Sequence, residues 1–200
     1  MAAVVFSRFS RSLRVATLAV GLAAVGVTVF VAGAWASVRP ASAAPSASSI
    51  CSHVSAASVS AIIGYKVPAP TASTTHLPAT KKNFEISSVD TSCVYGAETS
   101  VAALKKVVIL EYGVSDKAFT AAELQQSIKT SETENPSVKL KVVPYSGLGV
   151  PAYYLTISEA GIFGQAIEGV VGTTTFGASV ESKTVSESTV AALAKLSRKL

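Results

Sequence analysis

The sequence predicts an α+β domain, in which an antiparallel sheet of about five to six strands has helices packed on one face. Apolar residues between positions 92 and 182 alternate with polar ones in several segments, which is typical of half-buried strands. Many of these segments follow one another through short turns, and this favours antiparallel pairing. Segments with helical periodicity lie at the start, middle and end of the domain. The residues that precede the domain have the pattern of an N-terminal signal or anchor helix.

Three segments carry helix signals. The first ends at Gly64, a residue that favours helix termination. In the second, Thr120 and Glu123 have the spacing of a capping box, in which each side chain bonds the other residue's amide. In the third, Thr184 and Glu187 are expected to cap the start, and the basic residues stand favourably at the end. The predicted helices span residues 55–63, 120–130 and 185–199.

Six segments carry strand signals, and the cleanest alternation is Val138–Val142. The predicted strands span residues 92–97, 104–112, 138–142, 152–158, 165–171 and 173–182. By contrast, Pro68–Lys82 holds three prolines and several threonines, so we expect it to be an exposed loop. Gly147-Leu148-Gly149 lacks the third glycine and the following helix of a phosphate-binding loop, and it predicts a turn.

Residues 1–43 have the layout of an export segment. Three arginines precede an uncharged run over residues 15–38, and Ala41-Ser42-Ala43 then provides small residues for processing. The segment is either a signal peptide cleaved between Ala43 and Ala44, or a membrane anchor, because about 20 apolar residues span a bilayer. Both alternatives place the rest of the chain outside: secreted, or anchored to the outer face of the cytoplasmic membrane.

The remainder divides into an Ala/Ser/Pro linker over residues 44–49 and a single domain over residues 50–200. The formal net charge of +5 comes from 17 basic and 12 acidic residues. Four of the basic residues precede Ala44, where no acidic residue occurs. The rest of the chain therefore carries 13 basic and 12 acidic residues, a net charge of +1. A charge this close to zero gives no indication of a nucleic-acid partner.

Cys51 and Cys93 are the only cysteines. An even number of cysteines in an exported chain predicts a disulfide. Closing a loop of this length is expected to stabilise the fold by roughly 4 kcal/mol. A redox pair would need closer spacing, and Cys51 lacks the Leu-Ala-Gly-type approach of a lipid-modified cysteine.

A set of spaced residues resembles the small exported lipoprotein-like domains of unknown function found in actinobacteria. The pattern joins a Cys-x3-Ser-x3-Val-x4-Gly segment, a second cysteine in a strand and the run Gly-Leu-Gly-x-x-Ala-Tyr-Tyr. The matching residues are Cys51, Ser55, Val59, Gly64, Cys93, Gly147, Leu148, Gly149, Ala152, Tyr153 and Tyr154. Ser58 and Val150 stand where such domains often carry acidic residues, and the lipid-anchoring signal of many members is absent. The resemblance implies an envelope-facing α+β domain and supplies no active site.

No group of residues predicts a catalytic, cofactor or metal site. His53 and His76 are the only histidines, whereas zinc needs three or four ligands. No serine stands on the Gly-x-Ser-x-Gly turn of a nucleophile elbow. Glycosidase chemistry needs two acids facing one cleft, and the sequence alone does not pair Glu111, Glu159 and Glu168.

Tyr145, Tyr153 and Tyr154 are the candidates for a binding surface, since tyrosine combines an apolar ring with a polar tip. Alternation along a strand sends Tyr153 and Tyr154 to opposite faces. The leading hypothesis is therefore a non-enzymatic domain that binds an unknown small ligand, a wall polymer or an envelope protein. The alternative is an extracytoplasmic hydrolase with a dispersed active site.

Overall fold

The computed structural model describes residues 47–80, 84–96, 106–134, 136–159, 162–182 and 184–200. The predicted export segment, its cleavage point between Ala43 and Ala44, and the start of the linker lie outside the described residues. None of the helices described is both long and apolar enough to cross a membrane.

The described residues form one seven-stranded antiparallel sheet with helices packed against it, which confirms the predicted α+β class. The strand order is β1-β2-β3-β7-β6-β5-β4. The helices are α1 (Ala47–Cys51), α2 (Ala56–Ile63), α3 (Ala121–Glu134) and α4 (Glu187–Ser197). The strands are β1 (Thr71–Leu77), β2 (Ser88–Tyr95), β3 (Val108–Ser115), β4 (Lys139–Pro144), β5 (Ala152–Glu159), β6 (Ile162–Val171) and β7 (Thr174–Val180).

Strand β1 lies within the segment that was expected to be an exposed loop. It pairs with β2 from Thr71 opposite Val94 to Leu77 opposite Ser88. The prolines of the segment flank the strand and leave its backbone amides free to pair. Because β1 is an edge strand with mostly exposed polar side chains, it shows no apolar alternation that the sequence could reveal. The strand count is therefore seven, one above the predicted range.

Helices cover both faces of the sheet, whereas the sequence predicted helices on one face. We call the face that carries Cys93, Leu110 and Ile167 face A, and the opposite face, which carries Glu111 and Glu168, face B. Helices α1, α2 and α4 pack on face A, and α3 packs on face B. The reason is that β2, β3, β6 and β7 direct apolar side chains to face A, and β5 and β6 direct them to face B, so helices pack on both faces.

Each face has its own apolar cluster. The fully buried members on face A include Val59, Tyr95, Leu110, Ile167, Val180 and Leu193. The buried members on face B are Leu124, Ile128, Val138, Tyr153, Leu155, Ile157, Ala166 and Val170.

The predicted caps of α2 and α3 are present. The Ser55 hydroxyl accepts a hydrogen bond from the Ser58 amide at 3.1 Å, and Gly64 ends α2 with φ of 79°. At α3, the Glu123 amide donates to the Thr120 hydroxyl at 3.2 Å while the Thr120 amide donates to the Glu123 carboxylate at 2.8 Å. This reciprocal pair is a capping box, and it fixes where α3 begins.

The cap of α4 differs from the prediction. Ser186, not Thr184, occupies the N-cap position, and its hydroxyl accepts a hydrogen bond from the Thr189 amide at 3.2 Å. Thr184 lies two residues before the cap, and its amide donates to Ser182 instead. Glu187 is the first helical residue, where its negative charge faces the positive end of the helix dipole.

The predicted disulfide joins Cys51, the last residue of α1, to Cys93 in β2, and both cysteines are buried on face A. A buried hydrogen bond lies beside the disulfide, in which the Tyr95 hydroxyl donates to the Val54 carbonyl at 2.8 Å. Cys93 and Tyr95 are neighbours on face A of β2, so the disulfide and the hydrogen bond together hold the α1–α2 connection against this strand.

The disulfide can be tested by Cys93→Ser. We expect the substitution to lower the free energy of unfolding by about 2–5 kcal/mol, because the unfolded chain regains the entropy of an open loop. Denaturant unfolding measures this loss. Reduction of the wild-type protein should reproduce it and should leave the variant unchanged; equal stability of oxidised and reduced wild type would contradict the role of the bond.

Tyr95 predicts an alkaline limit of stability. Burial raises its pKa to about 12, so the folded state keeps the proton while the unfolded state releases it above about pH 10. The contribution of the protonated Tyr95 hydroxyl to the free energy of unfolding is therefore complete below pH 10 and is lost as the pH rises toward 12. Denaturant unfolding between pH 9 and 12 should show a steeper fall for the wild type than for Tyr95→Phe. Parallel curves would contradict this assignment.

Candidate functional site

The candidate site is a small cleft on face B, beside the start of α3. Its volume is about 50 Å³, which is room for a few water molecules or one small polar group of a ligand. Strands β2, β3, β6 and β7 supply its floor, and the start of α3 with the segment leading into it supplies one wall. The lining residues that matter chemically are Asp90, Glu111, Glu168, Phe119, Leu124 and Ser127.

The sheet register brings the three acidic residues together. Glu111 in β3 and Glu168 in β6 are both paired with Gly177, which lies between them on β7. Their backbones are thus two strand spacings apart, about 10 Å, and their side chains leave the same face. Asp90 in β2 lies in the adjacent row of face B, opposite Gly113.

Gly113 makes room for the Asp90 carboxylate. A Cβ atom at position 113 would lie 2.2 Å from the Asp90 Oδ1 atom and 2.5 Å from the Thr175 Oγ1 atom. The Asp90 side chain therefore reaches over β3 toward Thr175 on β7. Gly177 has a related role, because its missing side chain leaves the space between Glu111 and Glu168 open.

The carboxylates are well covered. Asp90 is 2% exposed and Glu168 is 8% exposed, whereas Glu111 is half-buried. The Ser88 hydroxyl donates to Asp90 Oδ2 at 3.1 Å, and the Ser92 hydroxyl donates to Glu111 Oε1 at 3.5 Å. Burying acidic groups costs stability, and such groups concentrate at functional sites as well as in structural networks.

One wall of the cleft is apolar. Phe119 stands immediately before α3, and its ring meets the Phe84 ring edge-on with 6.2 Å between centroids. Leu124, one turn into α3, belongs to the face B cluster. The cleft thus combines acceptor oxygens on the strands with an apolar surface on the helix side.

This arrangement can accept hydrogen bonds from a cationic or hydroxyl-bearing group. Ionised carboxylates are acceptors only, and ammonium and guanidinium groups are donors only. Within the part of the chain that the structure describes, no three His, Cys, Asp or Glu residues are arranged to hold a metal ion. His53 and His76 lie at separate exposed positions, the first between α1 and α2 and the second on β1.

The three predicted tyrosines do not share one surface. Tyr153 is buried on face B, where its hydroxyl donates to the Ala121 carbonyl at 3.2 Å. Tyr154 is half-buried on face A, and its hydroxyl donates to the side chain of Gln165. Tyr145 follows β4 and packs close to Gly147. The prediction that the two adjacent tyrosines face opposite sides is confirmed, and a binding role for any of the three stays a prediction.

Of the three glutamates considered in the sequence, the structure brings two together. Glu111 and Glu168 line the cleft, whereas Glu159 ends β5 and accepts a hydrogen bond from Ser137 at 2.8 Å. Sequence reasoning did not place Asp90 in this site. The signal that could have found it is an acidic residue inside a strand, since charged residues are rare at covered strand positions without a partner or a function.

Neither the comparison with protein-family models nor that with curated protein sequences finds a match for this chain. Among solved structures, the chain is similar to the extracellular domain of PknH from Mycobacterium tuberculosis, with a TM-score of 0.44 and 8% sequence identity. The likeness covers 74% of this chain and 93% of that domain. Similarity at this level assigns neither a ligand nor an activity to the chain. The likeness to actinobacterial lipoprotein-like domains stays a prediction.

Gly113→Ala tests the geometry of the cleft. The added methyl group would displace the Asp90 carboxylate, and we expect a loss of about 1–3 kcal/mol in the free energy of unfolding. Asp90→Ala removes the atom in closest contact, so Gly113→Ala should cost less in that background. Thermal or denaturant unfolding of the four proteins in the cycle gives the coupling. Equal costs in both backgrounds would show that Asp90 does not lie over Gly113.

Proposed function

We propose that this chain is an exported domain that works outside the cytoplasmic membrane and binds a small ligand without transforming it. The N-terminal export segment supports the location, and so does the buried disulfide, since such bonds persist in oxidising compartments. The face B cleft is the proposed binding site.

The observation that supports this function best is the convergence of Asp90, Glu111 and Glu168 on one cleft with an apolar wall. Acceptor oxygens above a sheet, next to the Phe119 ring, suit a group that carries positive charge on a short apolar stem. We therefore propose a ligand with a primary ammonium or guanidinium group. The small volume favours a small molecule over a wall polymer or an envelope protein, unless a single protruding group of such a partner enters the cleft.

Binding can be measured with simple probes. Ethylammonium, n-butylammonium and guanidinium ions are the cationic probes, and propanol and urea are their neutral counterparts. The backbone amides of Gly169 and Gly177, which line the cleft, serve as reporters in amide-detected NMR. We expect saturable shifts of both amides with at least one cationic probe and none with the neutral ones.

A matched pair of variants makes the test specific. Glu168→Gln removes a negative charge in the cleft, and we expect it to weaken binding of the cationic probe about tenfold or more, as loss of a charge-assisted hydrogen bond does. Glu187→Gln removes the charge of an exposed residue at the start of α4 and should leave binding unchanged. Equal effects of the two variants, or equal shifts with neutral probes, would overturn the proposed site.

A second candidate function follows from the Glu111–Glu168 pair. Two acids that face one cleft can act as acid and base in glycoside hydrolysis, when their carboxyl groups lie about 5–10 Å apart. The two backbones are about 10 Å apart, so their side chains can approach within that range. Release of reducing ends from chitooligosaccharides or peptidoglycan, abolished by both Glu111→Gln and Glu168→Gln, would favour hydrolysis over binding alone.

The proposed location has its own test. Sequencing the N-terminus of protein from culture supernatant and from membrane fractions distinguishes the two versions of export. A mature chain that starts at Ala44 shows a cleaved signal, and intact chain in the membrane fraction shows a retained anchor. Intact chain confined to the cytoplasm would contradict both.

A further inference from the structure

The two edges of the sheet differ in chemistry. Strand β4 carries exposed Lys139 and Lys141 and ends at Pro144. Lysines and prolines are devices by which natural sheets prevent pairing at an edge. Strand β1 has no lysine, no acidic residue and no proline in its seven residues, Thr71–Leu77. Lysines therefore protect the β4 edge against pairing, whereas β1 has seven residues without such a device between Pro70 and Pro78.

The two sides of β1 differ in their hydrogen-bonding partners. Its inner side pairs with β2 over the full length of the strand. Within the described part of the chain, no strand pairs with its outer side. Four of its side chains are exposed and three are half-buried, so no side chain of β1 is fully enclosed by the fold. A row of seven residues is a usual strand length, which is enough to support pairing with another chain.

We propose that β1 pairs antiparallel with β1 of a second copy of this chain, across a two-fold axis through Thr74. This register places Thr74 opposite its own copy, Ser73 opposite Thr75, and Ala72 opposite His76. Cross-strand pairs of hydroxyl residues are favourable, and no charged side chain meets its own copy in this register. By contrast, a two-fold axis through Lys141 of β4 would place two lysines directly opposite each other. A self-complementary patch is what a two-fold dimer requires.

Two exposed apolar residues lie on face A near this edge. Val89 is 36% exposed on β2, where it is paired with His76, and Val114 is 44% exposed on β3, where it is paired with Val89. An antiparallel two-fold pairing makes one continuous sheet in which face A of both copies lies on the same side. The valines of the two copies would then lie on the same side of the joined sheet, at opposite ends of the new strand pair.

The register can be tested by crosslinking. The full-length gene is expressed in a secreting host, and the exported product of Thr74→Cys is oxidised. The Cβ atoms of directly opposed residues lie about 4.5–5.5 Å apart, close enough for a disulfide with a small adjustment. We expect a covalent dimer whose linked peptides are joined through position 74. Lys141→Cys, on the exposed face of the other edge strand, is the matched control and should crosslink several-fold less.

Sedimentation velocity supplies a measurement that needs no added cysteine. The wild-type protein should associate reversibly into a dimer as its concentration rises. Thr74→Lys, which opposes two like charges, should shift it to monomer, while Lys141→Thr should leave the dimer intact; far-UV circular dichroism checks that both variants fold. A wild-type monomer at every concentration, a dimer insensitive to Thr74→Lys, or equal crosslinking of the two cysteine variants would each overturn the proposal.

Discussion

The architecture depends on one constraint: the sheet carries apolar side chains on both faces, from β2, β3, β6 and β7 on face A and from β5 and β6 on face B, so it needs a helix on each face. Helix α4 meets the need on face A, and α3 meets it on face B. Helix α3 lies over the β4–β6 side of face B. The adjoining part of face B, on β2, β3 and β7, carries carboxylates and glycines at Asp90, Glu111, Gly113 and Gly177. The cleft is the boundary between these two parts of one sheet face.

The disulfide acts at the other side of the same strands. Cys93 lies on face A of β2, and the neighbouring residue Ser92 lies on face B beside Glu111. Because successive residues of a strand point to opposite faces, fixing Cys93 also fixes the orientation of β2 at the cleft. The bond thus stabilises the fold and holds in place the strand that supplies Asp90.

The sequence predicted the features that depend on neighbours along the chain. The capping box at Thr120 and Glu123, the Gly64 terminus and most strand positions are local patterns, and the disulfide follows from two cysteines in an exported chain. The features it missed depend on pairing between distant segments. Strand β1 has no alternation of its own, and its partner β2 defines it. Glu111 and Glu168 are far apart in sequence, and only the register of β3, β7 and β6 brings them to one cleft.

The proposed function requires that the face B cleft receives a cationic group between Glu111 and Glu168. A high-resolution crystal structure of the exported protein soaked with guanidinium ions tests it most directly. We expect a guanidinium ion in the cleft, with its N–H groups donating to carboxylate oxygens of both glutamates and its plane near the Phe119 ring. Guanidinium found only at other surfaces, with the carboxylates of the cleft satisfied entirely by the protein's own side chains, would contradict the claim.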